Sequence, residues 1–227
     1  MSFAPPLLRR VATTSKRCAA RYPKLGFALY ATSLQYFVVQ VVVASRWSPP
    51  YSLSANTISD LGNTVCGRFN DRAICSPLHQ LMNLSFVTLG VTMVAGSLLI
   101  NFCLPARRGT TRGLSAMSIA GIGVLLVGLF PENTVSALHG FGASLPFTVG
   151  NVAVVSLGFT LPLSRPFRYF SIFAGSVSLV ALVFYVGNHD WGLGEGGMER
   201  VVAYPQTVWL VVIGIYFLLT SRMKELT

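Results

Sequence analysis

Six long apolar runs decide what this chain can fold into. They lie near residues 25–45, 82–103, 114–131, 139–162, 169–187 and 203–220. Each is long enough, or nearly so, to cross about 30 Å of hydrocarbon as a helix. Only helices and closed β-barrels satisfy their own backbone groups in a bilayer. Barrel strands alternate in polarity, and the runs "YFVVQVVVA" and "GIGVLLVGLF" do not. The expected fold is therefore all-α: a polytopic membrane bundle of six transmembrane helices. Only 11% of the 227 residues are charged, against about a quarter in a soluble domain.

The same pattern sets the domain organisation. A basic segment, 1–24, precedes a six-helix domain over 25–221, and a short tail occupies 222–227. The first apolar stretch is longer than a signal-peptide core, so an uncleaved span is expected.

Charge predicts orientation. Thirteen of the seventeen Lys and Arg residues fall in the N-terminal segment, the loops after helices 2 and 4, and the tail. Arg46, Arg68, Arg72 and Arg200 fall on the other side. The positive-inside rule then places both termini in the cytoplasm of a plasma-membrane protein. The net charge of +10 is accounted for by topology, and a nucleic-acid partner becomes unnecessary. The bilayer is the expected partner, and the basic inner face can also meet anionic lipid.

On this assignment six of the seven acids lie outside, and all three histidines lie outside or at outer helix ends. The longest connection, 46–76, is outside too, and a loop of that length often marks function. It reads as a loop cap over the outer face. It holds Cys66 and Cys75, and an oxidising compartment favours a disulfide between them. Cys18 and Cys103 fall inside and are expected to stay reduced. Glycines recur within the spans, as expected where helices approach closely in lipid.

The polar residues of that face form a candidate site. In "CSPLHQLMN" Ser76 and Pro77 predict a helix start, with His79 in the first turn and Asn83 one turn deeper. "GLFPENT" puts Glu132 at the boundary of helix 3, and "SALHGFGA" puts His139 at the outer end of helix 4. Asn151, deeper in helix 4, is expected to bond between helices. In the last outer loop His189 and Asp190 are adjacent, and Glu199 and Arg200 precede helix 6. Trp191, Tyr204 and Trp209 suit an interfacial belt. "NTISDLG" reads as a short helix capped by Asn56, with Ser59 and Asp60 in its first turn.

These motifs, "NTISDLGN", "CSPLHQLMN", "GLFPENT", "LHGFGA" and "ERVVAYPQTVW", occur in an order that resembles a prokaryotic six-span family, domain of unknown function 998. The resemblance runs from about residue 26 to 221 and implies a six-helix membrane protein. It implies no activity.

The residues themselves point first to a membrane-embedded hydrolase or transferase acting on a lipid or lipid-linked envelope substrate. Asp60, His79, Glu132 and His139 are its candidate catalytic residues. Asn83, His189, Asp190, Glu199 and Arg200 are candidate binding residues. His79, His139 and His189 could hold a divalent metal such as zinc, with an open water position. The alternative is a non-catalytic scaffold that binds lipid or a partner membrane protein. A small carrier, or a haem protein using His79 and His139, ranks below both.

Overall fold

A computed structural model describes residues 23–48, 51–104 and 107–220. The basic segment before residue 23, with Cys18, and the tail beyond residue 220 lie outside the described residues. Among the described residues there are six helices long and apolar enough to cross a membrane: α1 Pro23–Ala44, α2 His79–Cys103, α3 Arg108–Leu129, α4 Ser136–Thr160, α5 Arg165–Val186 and α6 Gly194–Leu219. The chain is a multi-pass membrane protein.

The helices pack through their small residues. A methyl on Gly90 of α2 would stand 2.7 Å from the Gly121 carbonyl oxygen of α3. One on Gly142 of α4 would stand 2.8 Å from the Gly123 carbonyl of α3. Contacts that close leave no room for a side chain, which is how backbones approach without a hydrophobic driving force between them. Trp209 is fully buried and donates its indole N–H to Ser171 Oγ at 2.8 Å. It is a core residue rather than part of an interfacial belt. Asn151 donates across the bundle to the Val202 carbonyl at 3.3 Å.

Two helices depart from the sequence reading. α6 begins at Gly194, so Glu199 and Arg200 lie inside it rather than before it. α4 contains a π-helical turn, Pro146–Gly150. Pro146 has no N–H to give the ladder, and its ring crowds the preceding turn. Wide turns of this kind are frequent at functional sites.

The connection between α1 and α2 folds across one end of the bundle. It carries a 3₁₀ turn, Ser59–Gly62, and a hairpin of β1 Cys66–Phe69 with β2 Arg72–Cys75. The strands pair antiparallel, with Phe69 opposite Arg72. Asn70 and Asp71 form the two-residue turn, both at positive φ. That matches the type I′ geometry that suits the strand twist and is best tolerated by Asn, Asp and Gly. The Cys66–Cys75 disulfide closes the base of the hairpin.

Candidate functional site

The Ser59–Gly62 turn is the centre of the site, held by hydrogen bonds from its own loop, the hairpin and the helices around it. Asp60 is fully buried. Its carboxylate accepts from Arg72 Nε at 2.9 Å and Nη2 at 3.0 Å. It also accepts from the Thr57 amide at 2.9 Å and Asn56 Nδ2 at 3.2 Å. Arg72 bonds Glu195 of α6 as well, joining hairpin, turn and helix. Burial opposes the Arg72 charge, but its bonds to Asp60 overcome this and raise its pKa.

From α2, Asn83 donates to the Gly62 carbonyl at 2.8 Å. Ser76 donates to the Leu61 carbonyl at 2.7 Å. Ser76 therefore does not cap α2, whose first residue is His79 and whose N-cap position is Leu78. From α6, Glu199 accepts the Ile58 amide. Arg200, one residue on, donates to the carbonyls of Leu53, Asn56 and Gly196 and to the Tyr51 hydroxyl. Its work is to hold the loop 51–57.

What this scaffold presents is Ser59. Its hydroxyl lies 3.0 Å from His139 Nε2 and 3.2 Å from Glu199 Oε1. The other ring nitrogen, His139 Nδ1, lies 2.9 Å from the Phe130 carbonyl. A carbonyl only accepts, so Nδ1 carries the hydrogen and Nε2 of the neutral ring is an acceptor. His139 is 7% exposed and Glu199 5%. Ser59 has one hydrogen and faces two acceptors. The group is satisfied when one further proton sits on Glu199, which then donates to Ser59, or on His139. The arrangement is a hydroxyl, a base aimed at it and a carbonyl that fixes the base.

Below Ser59 and Glu199 an apolar pocket enters the bundle, walled by Phe86, Met93 and Phe147 among others. Its enclosed space is about 50 Å³. A cavity needs about 10–15 Å³ to hold one water, so there is room for a few waters.

Glu132 lies beside this centre. Its Oε1 accepts from Asn63 Nδ2 at 2.9 Å. Burial pushes its carboxyl up to about 8, and the nearby Asp60 charge acts in the same direction.

The remaining sequence candidates fall elsewhere. His79 has Nδ1 2.9 Å from the Ser76 carbonyl at the start of α2. His189 and Asp190 are exposed beside a separate surface pocket with Glu195. Among the described residues no three His, Cys, Asp or Glu side chains are grouped to hold a metal ion. Zinc needs three converging protein ligands, so the residues do not fit the metal expected of His79, His139 and His189. Both ring nitrogens of His139 are engaged, which leaves it no position for haem either. Of the named candidates, Asp60, His139, Glu199, Arg200, Asn83 and Glu132 are gathered around residues 56–63. Ser59, Arg72 and Asn63 were missed as site residues. Ser59 lies within "NTISDLG", and Arg72 shows in the sequence only as a loop charge.

Neither the curated proteins nor the solved structures contain a match to this chain. A family model described as "protein of unknown function (DUF998)" matches residues 31–216, most of the sequence, and the chain belongs to that family.

Proposed function

We propose that the protein is a membrane-embedded hydrolase or transferase that cleaves a neutral acyl ester of a lipid, with Ser59 as nucleophile and His139 as base. The observation that carries this is the Ser59 hydroxyl at 3.0 Å from His139 Nε2, at the head of an apolar pocket. Ser59 Oγ attacks the acyl carbonyl carbon while its proton passes to Nε2. The tetrahedral species collapses, the ester C–O bond breaks, and His139 returns the proton to the leaving oxygen as an alcohol. Water, or a second alcohol, then attacks the Ser59 ester. Its proton goes to Nε2 and from there to Ser59 Oγ, which restores the enzyme.

Charge favours a neutral substrate. Glu199 stands beside Ser59, and the guanidinium groups of Arg72 and Arg200 are taken up by Asp60, Glu195 and backbone carbonyls. A transferring phosphoryl group needs cations to meet its charge, and none near Ser59 is uncommitted among those bonds.

The site is read as facing the outer leaflet of the plasma membrane. Two features support that orientation: Arg107, Arg108, Arg112, Arg165 and Arg168 sit at the opposite helix ends, and a disulfide suits an oxidising compartment.

The test is hydrolysis of p-nitrophenyl acyl esters of increasing chain length by the purified protein in nanodiscs. Turnover should rise with chain length and fall by about 10³-fold or more in Ser59→Ala and His139→Ala. Equal turnover in all three proteins would remove the nucleophile assignment. The non-catalytic reading then takes over, since most polar bonds at this end hold loops in place.

A further inference from the structure

The pocket below Ser59 has a second polar end. Gln206 lies seven residues beyond Glu199 on α6. That is two turns on and on the same face, about 10 Å along the axis at 1.5 Å per residue. Both side chains line the pocket. Gln206 is 3% exposed, yet its Oε1 has no hydrogen-bond partner. Its Nε2 faces only the sulfur of Met117, at 3.9 Å. Buried side-chain polar atoms are normally paired, so an orphaned amide in a pocket wall needs an account.

The surrounding helix makes room for this amide. Gly150 ends the π-helical turn of α4, and a methyl there would overlap Gln206. Pro146 and Phe147 of the same turn line the pocket. Helix α4 is thus widened at the level where Gln206 points.

We infer that Gln206 is the specificity residue of this pocket, binding a hydroxyl or amide group carried along the apolar chain of the substrate. The inference rests on the pocket being the substrate site of Ser59. An amide offers an oxygen acceptor and an NH₂ donor, and a hydroxyl or amide group can complement either. A plain hydrocarbon chain leaves Gln206 unpaired, and sites built to hydrogen-bond a group reject analogues that lack it.

The test reads binding rather than turnover. Medium-chain α,ω-diols and the matching mono-alcohols are titrated into the full chain in nanodiscs, in the unmodified protein and in Ser59→Ala. One diol length should bind about tenfold more tightly than its mono-alcohol in both proteins. Gln206→Met should abolish the preference, and Gly150→Ala, whose methyl displaces the amide, should do the same. Equal affinity of diol and mono-alcohol at every length overturns the assignment, as does an undiminished preference in Gln206→Met. Because Ser59→Ala is expected to keep the preference, a failure of the ester reaction and a failure of this inference give different results.

Discussion

Replacing Arg72 with Met should be among the most damaging single changes at this end of the protein. Asp60 is fully buried and accepts four hydrogen bonds, two of them from Arg72. Arg72→Met removes both charge-assisted bonds and leaves the buried carboxylate with one amide N–H and one Asn. Removing one partner of a buried pair costs about 3–5 kcal/mol. The Arg72 side chain keeps 11% of its surface exposed, so water can reach the vacated space and the lower end, about 3 kcal/mol, is expected. Asp60→Asn removes the charge instead, and the double variant should recover about 1–3 kcal/mol relative to the sum of the singles. Equilibrium unfolding in a fixed detergent, followed by tryptophan fluorescence, measures all three. A cost below about 1 kcal/mol for Arg72→Met, the range of an exposed pair, together with no coupling to Asp60, would refute the buried-clamp reasoning.

Other consequences follow from neighbouring contacts. Glu132 binds its proton more tightly folded than unfolded, rising from its ordinary 4.5 to about 8. Its contribution is therefore complete below about pH 4.5 and declines as pH rises toward 8, and Glu132→Gln should flatten that part of the stability–pH curve. Reducing the Cys66–Cys75 bond, or the Cys66→Ser/Cys75→Ser double change, should cost about 2–3 kcal/mol for so short a loop, read as a lower unfolding midpoint. Glu199→Gln keeps an acceptor for the Ile58 amide and gains a donor toward Ser59. It should hold ester turnover within about tenfold, whereas Glu199→Ala, which orphans that amide, should lose about 10²-fold or more, near one general acid–base contribution.

Much of the fold was legible because hydrocarbon imposes a crude filter: a run of apolar residues long enough to cross is visible without any partner. The start of α6 was not. "GLGEGGMER" carries four glycines and two acids, which reads as a loop. Helix forms there because Glu199 and Arg200 find partners on residues 51–59, far off in sequence. The hairpin was missed because its strands are four residues each, too short for a periodic signal. Its best cue was the Asn70-Asp71 pair.

The site divides in the same way. The polar connection 46–76, its cysteine pair and the acids around it stand out against apolar neighbours. Which acid meets which base does not. Asp60 finds Arg72 through the hairpin's register, and His139 finds Ser59 through the packing of α4 against the turn. Histidine alone suggested a metal. It took the Phe130 carbonyl on Nδ1 to show His139 as an oriented base.

The most direct measurement is the reaction of the purified protein with a long-chain alkyl fluorophosphonate, followed by intact-mass and peptide analysis. An activated serine gives one stoichiometric adduct on Ser59. The adduct should be absent in Ser59→Ala and slowed by about 10²–10⁴-fold in His139→Ala. No adduct in the folded protein, or one formed at the same rate without His139, would contradict the account.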